Sequence, residues 1–523
     1  MPYLLLLVSA LAGAYLAVQR VYSWNRLRHI PGPPWCGWSD IWMLRRAWSG
    51  SMYKDLGKLH QQYGSLVRVA PNYVICGDPA EVRRMWAVRS EWDRGLWFKG
   101  FQLDPPKDNL ISMLDNELHA SLRTKMAAGY AGKGIDGLHE SIDAQIARFV
   151  TLIESKYLST DTKLRAVDFA RKVQYLTLDV ISTIAFGRTF GFLEQDDDMF
   201  DHIKTTEDSL PLMQMIALVP WLLGLLQSRV FKMFMPSHKD VVGLGKVLSI
   251  AKEVVAERYG DNKITKNDML GSFVAHGLSQ QHAEAESAVQ IAAGSDTTAT
   301  SLRTGILSIA TSPQVHATLL AEIDSAIAQG RISSPITDAE ARALPYLQAC
   351  IKETLRFWPP ITGIVPRVCP REAKVCGVNV PAGTNVGWSA WAVLRDEGVF
   401  GKDAGVFWPG RWLMRVYEGA EEGEGEWEEK DKERLKRMER TVELVFGQGK
   451  WGCMGKGIAM IEINKVFVEL FRRFDFAVLN PAQPIEYEFG YGLQMQKGIY
   501  MRISRRKDLD TSTRNSADVQ VSE

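Results

Sequence analysis

Apolar and polar positions recur with helical spacing through most of the chain. The helical pattern runs from about residue 117 to residue 356. Within it, residues 287–310 are so largely apolar that they predict a buried helix, which Ser312 and Pro313 end. Residues 293–298 place an acid and three hydroxyl side chains at the centre of this helix. Because hydroxyls can capture backbone carbonyls, we expect the helix to open locally there.

Short runs typical of β-strands flank the helical region. Residues 66–70 and 73–76 are two such runs joined by Pro71-Asn72, and residues 362–386 contain further short strands with turns. No repeat of 20–50 residues is visible. The pattern predicts a mainly α fold with minor β sheets.

The N-terminal segment is apolar enough to suggest a membrane anchor. Residues 2–19 carry no charge, and as a helix they would span about 27 Å, close to the thickness of the hydrocarbon core. Arg20, Arg26 and Arg28 follow, which predicts a single-pass protein with a short lumenal N-terminus and the rest of the chain in the cytosol. The alternative is a cleaved signal peptide, but no basic residue precedes the apolar core.

This gives a simple domain plan. We expect an anchor over residues 1–20, a basic stop and proline-rich hinge over 21–35, one catalytic domain over 36–505 and a polar tail over 506–523. Residues 421–440 contain nine acidic and six basic side chains. They predict a solvated loop and short exposed helix, with a partner-binding segment as the alternative.

Composition excludes several classes of protein. The 523 residues contain 62 Lys+Arg and 61 Asp+Glu, so the basic excess expected of a nucleic-acid binder is missing. Six cysteines, none in a C-x-x-C pair, argue against a disulfide scaffold or a zinc ribbon. A single cysteine could still carry chemistry alone.

Cys453 differs from the other cysteines in its surroundings. Five glycines lie between residues 447 and 457, and helical spacing of apolar residues follows. A cysteine on a glycine loop before a helix is placed where backbone N–H groups favour a thiolate. With Phe446 beside it, the loop suits a large flat ligand, namely haem with sulfur as axial ligand. The alternative is a buried structural cysteine.

Five motifs in order make the chain resemble the cytochrome P450 family, from the N-terminal segment to about residue 500. They are His119-x-x-x-Arg123, Ala293-Gly294-Ser295-Asp296-Thr297-Thr298, Glu353-x-x-Arg356, Phe407-Trp408-Pro409-Gly410-Arg411-Trp412 and Phe446-x-x-Gly449-x-x-x-Cys453-x-Gly455.

The resemblance implies a haem b cofactor held by a defined set of residues. Cys453 would be the axial ligand of the haem iron, in a loop shaped by Phe446 and Gly449. His119 and Arg123 would contact the haem propionates, with Arg367 as a further candidate. One position departs from the family pattern: Trp451 stands where the loop usually carries Arg or His. Propionate binding would then depend more on the other three side chains.

Two further motifs take different roles by the same resemblance. Thr297 would hydrogen-bond dioxygen at the haem, and Asp296 would relay protons from solvent. Glu353, Arg356 and Arg411 would form a structural network under the haem loop, although the first two alone would be an ordinary pair on one helical face.

The family's activity implies a monooxygenase acting on an apolar substrate with O₂. No nucleotide-binding module is visible, so a separate NADPH-dependent reductase is implied, with Lys450 and Lys456 as docking candidates. Two alternatives stay open: a same-fold isomerase or dehydratase that needs no reductase, and a non-enzymatic haem binder. Residues 344–347 and 127–133 are similar to the fungal pisatin-demethylase-like branch, whose members often tailor secondary metabolites. Segments near 96–114 and 210–235 would line the pocket.

Overall fold

The computed structural model describes residues 2–104, 107–219, 222–224, 243–261, 263–413 and 429–506. Over these ranges the chain is mainly helical with small sheets, as the hydrophobic pattern predicts. Most of the predicted polar tail, part of the 210–235 segment and residues 421–428 of the charged block lie outside the described residues. The rest of that block is helical.

Within the described ranges, helices occupy the N-terminal segment and most of the middle of the chain. They are α1 (Pro2–Leu27), α2 (Ile41–Trp48), α3 (Met52–Tyr63), α4 (Pro79–Met85), α5 (Asn116–Tyr130), α6 (Leu138–Leu152), α7 (Phe169–Phe186), α8 (Phe192–Gln195), α9 (His202–Leu218), α10 (Gly243–Ala256), α11 (Met269–Ala275), α12 (Gln280–Ala310), α13 (Pro313–Ala328), α14 (Asp338–Arg342), α15 (Pro345–Phe357), α16 (Ala390–Val393), α17 (Glu397–Phe400), α18 (Glu429–Val442) and α19 (Lys456–Phe471).

The strands are short and form separate small sheets. They are β1 (Leu66–Ala70), β2 (Tyr73–Cys76), β3 (Asp93–Arg94), β4 (Leu158–Ser159), β5 (Val167–Asp168), β6 (Arg367–Val368), β7 (Ala373–Val375), β8 (Val378–Val380), β9 (Asn385–Trp388), β10 (Phe474–Val478), β11 (Tyr487–Gly490), β12 (Gln494–Lys497) and β13 (Tyr500–Arg505). The five-stranded sheet has the order β1-β2-β9-β6-β3. The two runs predicted at residues 66–70 and 73–76 are β1 and β2, which pair antiparallel.

The register of the five-stranded sheet matters for the site. β2 and β9 are parallel, whereas β6 pairs antiparallel with both β9 and β3. This register sets Arg94 of β3 directly opposite Arg367 of β6. Two arginines far apart in sequence therefore share one edge of the sheet.

The long helix α12 runs through the core and packs against α7, α10 and α19. It contains the buried helix predicted at 287–310 and begins seven residues earlier, where the Ser279 side chain accepts from the His282 N–H. The expected local opening is absent, since residues 280–310 form one continuous helix. Ser295 Oγ donates to Ile291 O at 2.8 Å and Thr297 Oγ1 to Ala293 O at 2.9 Å. These two hydroxyls are thus satisfied one turn back, and the backbone hydrogen bonds of the helix stay intact.

The N-terminal helix extends further than the predicted anchor. α1 ends at Leu27, which is fully buried, and Arg26 Nη2 donates to the Ala382 carbonyl at 2.5 Å. Among the described residues, no helix is both long enough and apolar enough to cross a membrane, so the predicted transmembrane helix is not supported. The last turns of α1 instead pack on the catalytic domain, and Trp24 stacks on Trp38.

Candidate active site

The loop that carries Cys453 is tied together by its own backbone. The Cys453 N–H donates to the Phe446 carbonyl at 2.7 Å. Gly449 has a φ of +67°, and a Cβ there would lie 2.5 Å from the carbonyl oxygen of Trp86, so only glycine fits. Gly449 does not line the cavity described next. Its contribution to cofactor binding would therefore be indirect, through the shape of the loop.

A cavity of about 470 Å³ lies between α12 and the cysteine loop. Its volume falls in the range of small-molecule and cofactor sites, and its wall is mostly apolar. The structure brings every predicted catalytic and cofactor residue except Gly449 to this wall: His119, Arg123, Asp296, Thr297, Arg367, Phe446 and Cys453. Residues from both segments expected to line the pocket, such as Leu110 and Met213, also contribute.

Cys453 faces the cavity from just before the N-terminus of α19, where it is open to the cavity interior. Removal from bulk water raises the pKa of its thiol above the ordinary value, although hydrogen bonds from the backbone of Gly455 and Lys456 and the charge of Arg123 act in the opposite direction. The expected thiolate therefore needs more than the loop itself. A metal ion held by Cys453 would supply the missing stabilisation of the thiolate.

A cluster of basic side chains forms a second part of the wall. His119 and Arg123 project from α5, and the Arg123 guanidinium donates to the Gly452 carbonyl at 2.7 Å. The His119 ring lies 4.2 Å from the Trp451 ring, measured between centroids. Among the described residues, the Arg367 guanidinium donates to two neighbouring carbonyls, those of Val365 and Pro366, at 3.3 Å each.

Sequence reasoning missed one member of this cluster. The Arg94 guanidinium carbon lies 4.1 Å from the centroid of the Trp451 ring, and its Nη1 donates to the carbonyls of Leu110 and Ile111. Arg94 thus places a positive charge beside Trp451, the loop position at which the family usually has Arg or His. No motif marks it, because its place follows from the pairing of β3 with β6.

The basic cluster has no close ion-pair partner, although the charges of Glu286 and Asp93 act on Arg94 and Arg367 from further away. Over the described ranges, no carboxylate forms an ion pair with Arg94, Arg123 or Arg367. Burial and the neighbouring Arg94, Arg123 and Lys450 lower the pKa of His119 to about 3. Burial lowers the pKa of Arg367 to about 9. A bound anion would relieve this repulsion.

Buried hydrogen-bond donors without acceptors also indicate that this part of the wall binds an anion. The Nε atoms of Arg94 and Arg367 and the indole Nε1 of Trp451 are buried without a hydrogen-bond acceptor in the part of the chain that the structure describes. Buried donors in native structures normally have a partner. Carboxylate groups such as the two propionates of haem match both the charge and the donors of this wall.

Asp296 and Thr297 lie on the part of α12 that lines the cavity. Gln174 Nε2 of α7 donates to Asp296 Oδ1 at 2.5 Å. Burial, with the charge of Glu207, raises the pKa of Asp296 to about 6, against the opposing effects of Arg303 and the Gln174 hydrogen bond. The carboxyl group can therefore bind and release a proton near neutral pH.

Two further carboxyl groups of the wall carry no sequence signature. Burial raises the pKa of Glu286 to about 7, opposed by the Leu110 N–H and Arg94. Burial alone raises the pKa of Glu462 on α19 to about 8, and its Oε1 has no hydrogen-bond partner among the described residues. Both residues look like ordinary helix-surface glutamates in the sequence, and only the packing buries them.

The predicted structural network is present and lies outside the cavity wall. Arg356 donates twice to the Glu353 carboxylate, at 2.7 and 2.8 Å, and Arg411 Nε donates to the same carboxylate at 3.1 Å. All three side chains are fully buried. Arg356 and Arg411 also bind backbone carbonyls of residues 394–406. The network therefore organises the chain that leads to the cysteine loop.

Comparison with known proteins assigns the family. The family model for cytochrome P450 matches residues 30–501. Cytochrome P450 monooxygenase ABA1 of Pyricularia oryzae is 38% identical over 514 residues, which cover 95% of this chain and 96% of the relative. A Botryotinia fuckeliana monooxygenase of the same name is 34% identical, covering 91% and 92%. A cytochrome P450 monooxygenase of Aspergillus terreus is 29% identical, covering 91% and 95%.

The chain belongs to the cytochrome P450 family. Its enzyme class is that of the cytochrome P450 monooxygenases, and the fungal relatives confirm the recognition made from the five motifs. The family implies a haem with thiolate-bound iron, and the residues present fit it. Cys453 would hold the iron, while the unpaired donors and uncompensated cations around Trp451 would hold the propionates.

Proposed function

We propose that this protein inserts one oxygen atom of O₂ into an apolar organic substrate, with electrons from NADPH delivered by a separate reductase. The observation that carries the proposal is one cavity whose wall holds Cys453, the Asp296–Thr297 pair and a large apolar surface. Haem bound through Cys453 would supply the oxygen-activating chemistry. The apolar wall would bind and orient the substrate and exclude water.

The residues around the cavity would hold a proton, hydrogen-bond the bound ligand and anchor the cofactor. Asp296 would hold a proton at its carboxylate, fixed in place by the Gln174 amide. The Thr297 hydroxyl, which donates to the Ala293 carbonyl, would instead hydrogen-bond a polar ligand in the cavity. The basic cluster would anchor the cofactor. This division fits a tailoring step in fungal secondary metabolism, the setting suggested by the resemblance.

Electron delivery would involve the surface beside the cysteine loop. Lys450 Nζ pairs with Asp93 at 2.6 Å, and Lys456 pairs with Glu443. Both lysines therefore already hold partners within the chain. Docking of an acidic reductase face would exchange these intramolecular pairs for intermolecular ones.

We also propose that the protein works at the cytosolic face of the endoplasmic reticulum membrane. Leu4, Leu7, Leu11, Leu16 and Val18 of α1 are each more than half exposed. Exposed apolar side chains that share a helical face, as Leu4, Leu7, Leu11 and Val18 do, are typical of a protein or membrane contact. Extraction of yeast microsomes that contain the full chain tests this: wild type should pellet and Leu7→Glu/Leu11→Glu should be released. Equal release of both would contradict it.

The decisive experiment uses haem-loaded full-length protein with and without a fungal P450 reductase. We expect the reduced CO complex to show the band of thiolate-ligated haem, and NADPH and O₂ consumption to require the reductase. Metabolite profiles of a deletion strain should then show loss of an oxygenated product and build-up of its less oxidised precursor. Turnover without reductase would favour the isomerase or dehydratase alternative. Absence of the thiolate band would contradict both enzymatic functions.

A further inference from the structure

Two cysteines that no sequence motif connects meet at one end of the five-stranded sheet. Cys76 ends β2, and Cys376 follows β7, 300 positions further along the chain. Their sulfur atoms lie 3.7 Å apart, close enough for one thiol to donate to the other. Among the described residues, no other two cysteine thiols lie within such a distance.

The backbone holds Cys376 in a conformation that cysteine rarely adopts. Cys376 and Gly377 form the two-residue turn between β7 and β8, with φ values of +50° and +76°. Such a turn favours Asn, Asp or Gly at its first position, because other side chains strain the left-handed backbone. The requirements of the turn therefore do not explain a cysteine at this position.

The two thiols differ in their access to solvent. Cys76 is fully buried, and its contact with the Cys376 thiol, together with burial, raises the pKa of the Cys76 thiol well above its ordinary value. Cys376 is half-buried, and its sulfur contacts the Ser65 carbonyl at 3.9 Å in an exposed position. A small oxidant can therefore reach Cys376 first, with Cys76 directly behind it.

We propose that Cys76 and Cys376 form a redox modification site, at which hydrogen peroxide or an organic hydroperoxide produces a reversible disulfide. Disulfides are usually transient in the reducing cytosol, so the cross-link would persist only while the oxidant is present. A disulfide needs about 2 Å between its sulfurs, so the pair has to close by less than about 2 Å. Neither cysteine lines the large cavity, so the reaction needs neither substrate nor reductase.

The oxidation consumes one peroxide for each disulfide. The Cys376 sulfur attacks a peroxide oxygen, the O–O bond breaks, and a sulfenic acid forms with release of water or an alcohol. The Cys76 sulfur then attacks the Cys376 sulfur, the S–O bond breaks, and the departing hydroxide takes the Cys76 proton to leave as water. Two electrons pass from the two sulfurs to the peroxide, and a dithiol reductant reverses the cross-link.

The cross-link would clamp a sheet that carries part of the active-site wall. Cys76 lies opposite Trp388 in the parallel register of β2 and β9, and Trp388 lines the large cavity. Strand β6, which carries Arg367, pairs with the other edge of β9. Strands β7 and β8 form a separate two-stranded sheet. The disulfide would tie this separate hairpin to the five-stranded sheet.

The first test maps disulfides in haem-loaded full-length protein treated with a small excess of hydrogen peroxide. Trypsin would release Cys76 and Cys376 in separate peptides, residues 69–83 and 375–395. We expect these two peptides to be joined, with a loss of two hydrogen atoms that dithiothreitol reverses. Untreated, reduced protein should give the two peptides separately.

Variants distinguish this pair from the other cysteines. Cys376→Ser and Cys76→Ala should each abolish the joined peptides, and either one suffices if the other fails to fold. Cys369→Ala is the matched control, because Cys369 is a buried thiol of the same region that donates to carbonyls, and it should leave the cross-link intact. Wild-type cross-links that contain Cys369 or Cys453 instead, or oxidised Cys376 without joined peptides, would refute the site.

The second readout is the stability of protein equilibrated with oxidised or with reduced glutathione. The denaturant midpoint of wild type should shift to a higher concentration in oxidised glutathione, because the cross-link restricts the unfolded chain. Cys376→Ser should show the same midpoint in both. An unchanged midpoint in cross-linked wild type would refute the clamp on the sheet. Lack of reductase-dependent turnover would refute the proposed monooxygenase function and leave both readouts unchanged, so the two failures are distinguishable.

Discussion

The guanidinium of Arg94 stacks on the indole of Trp451, with 4.1 Å between the guanidinium carbon and the ring centroid. A two-residue strand and the cysteine loop thereby share one cation–π contact. In this chain the positive charge usually carried by the loop is supplied by the neighbouring sheet. Stacking on the Trp451 ring holds the Arg94 guanidinium in place.

Replacing Arg94 should affect haem-loaded and haem-free protein in opposite directions. Arg94→Ala should weaken haem binding about 10- to 100-fold, since a hydrogen bond to a charged group contributes about 1.5–3 kcal/mol. In the haem-free chain the same change should raise stability, because it removes a fully buried charge and its repulsion from Arg367 and Arg123. Haem transfer to excess apomyoglobin and denaturant unfolding measure the two effects. Arg84→Ala, at an exposed surface ion pair, is the control, and equal haem transfer by both variants would contradict the role of Arg94.

Cys453 should be the one cysteine whose loss changes the spectrum. Cys453→Ser should remove the thiolate-type band of the reduced CO complex and abolish NADPH-dependent oxygenation, because the hydroxyl is a far weaker electron donor to iron. Cys376→Ser, at a half-buried cysteine away from the cavity, should leave both unchanged. A normal spectrum in Cys453→Ser would place the iron ligand elsewhere.

The Glu353 network should dominate the stability of its region. Arg356→Ala leaves the buried Glu353 carboxylate short of two hydrogen bonds and should lower the free energy of unfolding by about 3–5 kcal/mol. Lys352→Ala on the same helix removes a half-exposed pair with Glu439 and should cost less than about 1 kcal/mol. Denaturant titration of both variants, monitored by circular dichroism, gives the comparison. Similar losses would show that burial of the network does not matter.

Glu462 predicts a pH-dependent stability. Burial raises its pKa from 4.5 to about 8 in the folded chain, so folding favours the protonated form and loses stability as the pH rises through this window. The free energy of unfolding of Glu462→Gln should therefore rise relative to that of wild type between about pH 5 and pH 8, by at most about 1.4 kcal/mol per pH unit. Unfolding of haem-free protein across this range measures it. A constant difference at all pH values would contradict it.

How far the sequence predicts the structure differs from element to element. Strands β1 and β2 match the predicted boundaries because short apolar runs with β-branched residues on either side of the Pro71-Asn72 turn are a local signal. The position of Cys453 follows from glycines adjacent to it in sequence. The role of Arg94 depends instead on its register opposite Arg367, a long-range pairing that no local pattern records.

The same limit applies to the carboxyl groups and to α1. Glu286 and Glu462 have ordinary helical neighbours in sequence, and only tertiary packing buries them in the cavity wall. For α1, the uncharged run suggested an anchor that stops at Arg20, but the helix continues to Leu27 because Ser23, Arg26 and Leu27 find partners on the catalytic domain.

The arginines beside Trp451, which have no close ion-pair partner among the described residues, also make the stability of this protein depend on the supply of haem in the cell. Because a ligand that binds only the native state stabilises it by mass action, the amount of intact enzyme in a cell would rise and fall with the supply of haem. A strain starved of iron would lose the protein itself before it lost transcription of the gene. Repulsion among Arg94, Arg123 and Arg367 in the haem-free chain would contribute to this loss. The amount of protein under iron limitation would therefore reflect how strong that repulsion is.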